Sequence, residues 1–253
     1  MRQWLWLLSV LFCSATMAAP APKVAAAANI KFAMEQIVSQ YHADTGRQVQ
    51  VSYGSSGNFV TQLSHGAPFE LFLSADEKYV AALVDKGVTL DAGQIYAYGK
   101  LALAVPNNSP IQLDSQLNSL KQLLADNQIN RFAIANPEHA PYGERARELL
   151  QHLGLWQALQ GKLVYGENVS QAAQFALSGS TDGGIVALSL AVAPQFRQRS
   201  RYIVIEHDYT PLAQRMVLMK SASAEAKQFY QYLQSPKAQA VFTEFGFGLP
   251  ESR

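Results

Sequence analysis

The residues best suited to chemistry lie in a short run of glycines and serines, Gly54-Ser55-Ser56-Gly57-Asn58. The alternating apolar and polar residues 47–53 before this run predict a strand, and residues 59–66 after it predict a helix. A helix N-terminus presents unpaired backbone N–H groups and a partial positive charge, and serine hydroxyls add further donors. The run is therefore suited to binding an oxyanion. The simpler alternative is a capped helix after a tight turn.

Three further junctions between a predicted strand and a predicted helix carry candidate residues. Asn29 follows the apolar strand 23–28 and is expected to cap a helix, Tyr142 lies in the loop 138–143, and Val169 leads into the helix 170–177. In α/β folds, ligands bind at the carboxyl ends of strands, against the N-termini of helices. Together with the junction at Ser56, these would line a cavity with N–H and O–H donors.

Strands and helices alternate along nearly the whole chain, in about eight units. This alternation predicts an α/β fold in which mostly parallel sheets carry helices on both faces. Because so many units exceed what one small sheet holds, we expect two lobes. The long extended segment 94–105, which ends at Pro106, could cross from one lobe to the other.

The N-terminus predicts export from the cytoplasm. A short positive start, a mostly apolar stretch over residues 4–12 and small residues at 14–19 are typical of a signal peptide, which we place at residues 1–18. The remaining chain should form a globular protein with a large core, since 49% of the 253 residues are apolar and 15% are charged.

Removal of the signal peptide changes the composition of the mature chain. It takes away Cys13, the only cysteine, and Arg2, so that 19 basic and 19 acidic residues remain. Without cysteine, the mature chain has no disulfide, no thiol chemistry and no cysteine-based metal site. A net charge of zero argues against a nucleic-acid partner and against binding to anionic membrane surfaces.

Signatures of catalysis are sparse. The run at residues 54–57 does not match the G-x-S-x-G nucleophile motif, and no H-E-x-x-H metal motif occurs. His139 is the one histidine near a candidate junction, and a local hydrogen bond in its loop is the simpler explanation for it. A secreted serine hydrolase using Ser55 or Ser56 with His139 is the remote alternative, for which no orienting acid can be named.

Five segments carry a resemblance that covers nearly all of the mature chain in order. They are residues 25–29, 53–56, 66–76, 136–143 and 184–189. The most specific are Gly66-Ala-Pro-Phe-Glu-Leu-Phe-Leu-Ser-Ala-Asp76 and Asn136-Pro-Glu-His-Ala-Pro-Tyr-Gly143. Together they resemble the periplasmic molybdate-binding proteins of ABC importers.

This resemblance implies the fold and the biological setting. The fold would be α/β, a type II periplasmic binding protein fold of two lobes, each a mixed, mostly parallel sheet flanked by helices, with the ligand cleft between them. Lobe 1 would comprise residues 22–98 and 208–253, and lobe 2 residues 99–207. The protein would be a periplasmic monomer without enzymatic activity or cofactor, delivering molybdate or tungstate to the membrane permease of an ABC importer.

The resemblance also implies the site. The positions that match the family's ligand-binding residues are Asn29, Ser56, Tyr142 and Val169, with Ser55 and Ala187 as secondary candidates; the only metal is that of the bound oxyanion. Val169 would contribute its backbone N–H. Some members have a ligand-contacting tyrosine where this chain has Ala187, so Asn29 or Tyr142 must replace that hydroxyl, or the coordination differs.

The chemistry of the candidate residues agrees with such a ligand. Molybdate is fully deprotonated near neutral pH and only accepts hydrogen bonds, so it needs neutral donors and no carboxylate. Phosphate keeps a proton part of the time and gains from a carboxylate acceptor. Sulfate has the charge and shape of molybdate but is smaller, so cavity size must separate them. Binding of another tetrahedral oxyanion, such as sulfate or phosphate, is the nearer alternative.

Overall fold

A computed structural model describes residues 20–250, so the predicted signal peptide lies outside the described residues. Within residues 20–250, no helix combines the length and the apolar character needed to span a membrane. The described chain forms two five-stranded sheets flanked by helices, which confirms the predicted α/β class.

The first sheet has the strand order β2-β1-β3-β10-β4, and the second has the order β7-β6-β8-β5-β9. The strands are β1 (Lys23–Ala27), β2 (Gln50–Gly54), β3 (Leu71–Leu73), β4 (Gln94–Gly99), β5 (Leu101–Pro106), β6 (Phe132–Ala135), β7 (Leu163–Gly166), β8 (Gly183–Ala187), β9 (Ser200–Ile205) and β10 (Leu212–Leu218).

Each sheet contains one reversed strand in the same place. β1 pairs in parallel with β2 and β3, and β6 pairs in parallel with β7 and β8. The fourth strand of each sheet, β10 or β5, is antiparallel to both of its neighbours. Four of the five strands in each sheet therefore run in one direction, as expected for a mixed, mostly parallel sheet.

The helices connect these strands and cover the sheets. They are α1 (Lys31–Thr45), α2 (Ser56–Ser64), α3 (Glu77–Asp85), α4 (Asn118–Ala125), α5 (Pro141–His152), α6 (Trp156–Leu159), α7 (Val169–Leu177), α8 (Leu188–Ala191), α9 (Pro194–Arg197), α10 (Ala224–Tyr232) and α11 (Pro236–Glu244). A short 3₁₀ turn, Ala28–Ile30, separates β1 from α1.

The chain passes between the sheets twice. β4 belongs to the first sheet and β5 to the second, with Lys100 alone between them. The chain returns between β9 and β10. The predicted lobe boundary at 98/99 falls at the end of β4 and the one at 207/208 falls in the return segment. That these boundaries separate two lobes stays a prediction.

The strand β1 is buried on both of its faces. Val24 and Ala26 pack into a core that includes Phe229 and Phe242 of the two C-terminal helices, while Ala25 packs on the other side with Phe72. A strand covered on both faces has no polar side, which explains its continuous apolar sequence. Its small residues allow the covering layers to come close to the strand end where the candidate site begins.

Candidate functional site

The predicted junctions meet at one small cavity of about 10 Å³ between the two sheets. It is lined by Ala27, Ala28, Asn29, Gly54, Ser55, Ser56, Ala75, Ala140, Pro141, Tyr142, Asn168 and Val169. The first seven residues follow or end strands of the first sheet, and the last five precede or begin helices α5 and α7 of the second. Four predicted ligand residues and Ser55 thus lie around the same space.

Ser56 is the first residue of α2 and is fully buried. As a first-turn residue, it has a backbone N–H without a partner inside the helix. Its Oγ accepts a hydrogen bond from the Ala75 N–H at 3.0 Å, so its own hydroxyl hydrogen is available to another acceptor. The adjacent Ser55 Oγ is buried and has no hydrogen-bond partner among the described residues.

Tyr142 lies in the first turn of α5, not in a loop as predicted. The helix begins earlier than expected because Pro141 occupies its first position, where the missing N–H costs nothing. The N–H groups of Gly143 and Glu144 bond to the carbonyl of Ala140, at 2.9 and 3.1 Å. The Tyr142 N–H is therefore the donor in the first turn of α5 that has no partner within the helix.

Gly143 allows α5 to begin this close to strand β6. A Cβ at this position would lie 2.2 Å from the carbonyl oxygen of Ala135, the last residue of β6. Any other residue would push the first turn of α5, and Tyr142 with it, away from the cavity.

Val169 is the first residue of α7, and its backbone N–H is left free by the cap in front of it. The Asn168 side chain accepts hydrogen bonds from the N–H groups of Ser170 and Gln171, at 3.0 and 3.1 Å. This N-cap satisfies the second and third donors of the helix but not the first. A residue with an apolar side chain can therefore contribute a polar group to the cavity.

Asn29 does not cap α1, contrary to the prediction. The chain leaves β1 through the 3₁₀ turn Ala28–Ile30, and no side chain caps that turn. Because Asn29 lies inside the turn, its amide is free to reach Tyr142 Oη at 3.3 Å and Gln214 Oε1 at 3.0 Å. The carbonyl of Asn29 accepts a hydrogen bond from Ser189 Oγ at 2.7 Å.

Gln214 is the residue that sequence reasoning missed. It is fully buried on β10, and its amide contacts Tyr142 Oη at 3.1 Å and Tyr96 Oη at 2.8 Å. One feature of the sequence could have identified it. Gln214 alternates along its strand with Leu212 and Met216, which are both buried. A glutamine on the inward side of a strand requires hydrogen-bond partners in the interior.

Two other candidates lie elsewhere. Ala187 is a buried residue at the end of β8, paired with Leu101, and is not among the cavity-lining residues of the described chain. His139 Nε2 donates to the carbonyl of Glu167 at 2.9 Å, the local hydrogen bond that was the simpler alternative.

The cavity is electrically neutral apart from backbone and side-chain dipoles. None of its twelve described lining residues carries a charge. Burial raises the pKa of Tyr142 well above its usual range, so the phenol remains protonated. Within residues 20–250, no group of His, Cys, Asp or Glu is arranged to hold a metal ion. Such a site is suited to a small anion that accepts hydrogen bonds.

Comparison with known proteins places the chain in a family. Residues 22–248 match the family described as bacterial extracellular solute-binding protein. The chain belongs to this family.

Relatives of this solute-binding protein have names that specify a ligand. It is 37% identical to the molybdate-binding protein ModA of Azotobacter vinelandii over 90% of this chain and 89% of that one. It is 35% identical to ModA of Rhodobacter capsulatus over 88% and 86% of the two chains. The solved periplasmic molybdate-binding protein of Azotobacter vinelandii superposes with a TM-score of 0.82 at 35% identity, over 91% of this chain and all of that one.

Ion pairs link α3, which follows a strand of the first sheet, to α5, which follows a strand of the second. Arg145 at the start of α5 donates to Asp76, the N-cap of α3, at 2.7 Å, and both side chains are largely buried. Lys78 of α3 pairs with Glu144 of α5 at 2.6 Å. Burial alone would lower the pKa of Arg145, but its hydrogen bonds to Asp76 and Glu148 outweigh burial and raise it.

The substitution Arg145→Met should let α3 and α5 separate, which opens the contact between the two sheets. It would leave the buried Asp76 carboxylate with its cap hydrogen bond from the Lys78 N–H but without a cationic partner, which costs roughly 3 kcal/mol as long as the carboxylate stays buried. Opening hydrates that carboxylate. Small-angle X-ray scattering should therefore show a larger radius of gyration than for the wild type. Arg147→Met is the matched control, since Arg147 lies on the same helix and pairs with the exposed Glu138. Identical scattering from all three proteins would contradict this role of Arg145.

Proposed function

We propose that this solute-binding protein captures molybdate, with tungstate as a second ligand, and delivers it to the membrane permease of an ABC importer. The observation that carries this proposal is the meeting of three helix first turns and several hydroxyl groups at a cavity without a charged side chain. Close relatives named as molybdate-binding proteins support the same ligand. The protein carries its ligand and does not transform it.

We assign the binding of the anion to Ser56, Tyr142, Val169 and Asn29, with Ser55 as a further donor. The free first-turn N–H groups of α2, α5 and α7 supply dipolar donors, which stabilise a buried dianion without a lysine or arginine. The Ser56 and Ser55 hydroxyl groups add donors that have no other acceptor in the described chain. The lack of a carboxylate among the lining residues disfavours a protonated phosphate.

Calorimetric titration of the leaderless protein with molybdate, tungstate, sulfate and phosphate tests the proposal. We expect tight one-to-one binding of molybdate and tungstate and much weaker binding of sulfate, which is too small to reach all donors at once. Tight binding of sulfate or phosphate in place of molybdate would overturn the assigned ligand and leave the anion site intact.

The variant Asn168→Asp tests whether the ligand is an anion held by α7. Aspartate caps a helix as well as asparagine does, so the free energy of unfolding should stay within about 0.5 kcal/mol. The new carboxylate at the cavity wall should repel a dianion and weaken molybdate binding at least about tenfold. Asn168→Ser, a neutral cap, is the control and should bind nearly as well as the wild type. Equal affinity of the Asp and Ser variants would contradict the assignment.

We infer that residues 1–18 are a cleaved signal peptide and that the mature protein acts as a periplasmic monomer. Membership of an extracellular solute-binding family supports export. Native mass spectrometry of the protein recovered from its compartment checks both points. We expect the mass of a single chain beginning after residue 18. A mass that includes the first 18 residues, or a dimer mass, would contradict the corresponding part.

A further inference from the structure

Behind the cavity, four buried side chains form one hydrogen-bonded network: Asn29, Tyr142, Gln214 and Tyr96. All four are at most 5% exposed. They have little room to move, because a Cβ on the neighbouring Gly99 would lie 2.2 Å from Tyr142 Oη and 2.4 Å from Gln214 Nε2. Only Asn29 and Tyr142 line the cavity, so Gln214 and Tyr96 act from behind them.

One amide orientation leaves this network poorly matched to an anion. With Asn29 Nδ2 donating to Gln214 Oε1 and to Tyr142 Oη, the Asn29 Oδ1 atom is buried without a hydrogen-bond partner. A buried acceptor without a donor is costly, and a carbonyl oxygen at the cavity would also repel a bound dianion.

A half turn of both amides removes this conflict and keeps every contact distance, at the cost of one hydrogen bond. The single Tyr142 hydroxyl proton then faces two oxygens, Gln214 Oε1 at 3.1 Å and Asn29 Oδ1 at 3.3 Å, and can serve only one of them. The oxygen and nitrogen of a primary amide have the same shape, so they can exchange places. Gln214 Nε2 then donates to Asn29 Oδ1 across the 3.0 Å contact and to Tyr96 Oη across the 2.8 Å contact. Tyr96 donates to the carbonyl of Ser74 at 3.3 Å, and Gln214 Oε1 accepts from Tyr142 at 3.1 Å.

The two amides must turn together. If only one turned, two oxygens or two nitrogens would face each other across the 3.0 Å contact between Asn29 and Gln214. With both turned, the group left without a protein partner is the Asn29 NH₂, and it replaces the unpartnered oxygen. The orientation of Gln214 thus decides whether Asn29 offers an acceptor or a donor to the cavity.

We infer that Gln214 is a positioning residue for anion capture: by donating to Asn29 Oδ1, it holds the Asn29 NH₂ as a hydrogen-bond donor to the bound oxyanion. This inference rests on the proposed function. It explains how an asparagine, whose amide could equally present its oxygen, serves a site that must contain only donors. Some members of the family have a ligand-contacting tyrosine where this chain has Ala187. In this chain the Asn29 amide would donate the hydrogen bond that the tyrosine hydroxyl donates there.

The wild-type protein provides the first test, by NMR of its ¹⁵N-labelled side-chain amides during titration with molybdate. We expect the NH₂ signals of both Asn29 and Gln214 to shift on binding, although Gln214 does not line the cavity. The backbone signals of Ser56 and Val169 report binding independently. If these move while both side-chain NH₂ signals stay in place, the inference is wrong and the proposed function stands. If the wild type binds none of the anions, the proposed function itself fails.

A double-mutant cycle tests whether Gln214 acts through Asn29. Gln214→Met keeps the length of the side chain and removes the amide, and we expect it to weaken molybdate binding about tenfold. Asn29→Ala should have a similar effect, and the double variant should bind no worse than Asn29→Ala alone. Gln231→Met, on the exposed face of α10, is the control. Independent losses that multiply in the double variant would overturn the inference, and the NMR test decides it even if Gln214→Met does not fold.

Discussion

The convergence of helix first turns on one small space is the constraint on which the rest of the structure depends. A dianion taken out of water needs hydrogen-bond donors, and the first turns of α2, α5 and α7 each leave a backbone N–H that can supply them in the proposed site. These groups are fixed by the backbone, and they bring no charged side chain into the cavity. The site is therefore built from backbone positions, and side chains such as Ser56 refine it.

Small residues make this convergence possible. Four alanines lie in the cavity wall, at positions 27, 28, 75 and 140, and Gly143 lets α5 begin against the end of β6. Gly99 lies where the chain crosses from the first sheet to the second, and it lets the side chains of Tyr142 and Gln214 approach the backbone there. Larger side chains at these places would separate the helix N-termini by more than a hydrogen bond can span.

Charge is kept at the rim of the cleft and out of its interior. The pairs Asp76–Arg145 and Lys78–Glu144 join α3 to α5 outside the cavity, whereas the cavity wall is neutral. This division explains why the acidic residues near the site in sequence, such as Glu144, do not disturb an anion-binding cavity.

The sequence by itself determined the α/β class and the order of most strands and helices, because hydrophobic periodicity acts locally. Its resemblance to known proteins indicated the family. The sequence also placed Ser56 and Val169 at junctions between a strand and a helix, and their direct contact with an anion remains a prediction. The structure showed that they are the first residues of α2 and α7. Only the tertiary structure decided that Asn29 leaves its capping role, that Tyr142 belongs to a helix, and that Gln214 joins them from a strand 185 residues further along the chain. The physical reason is that a buried amide takes the partner that packing brings to it, and the packing of β10 beside β3 and β4 cannot be read from any local pattern.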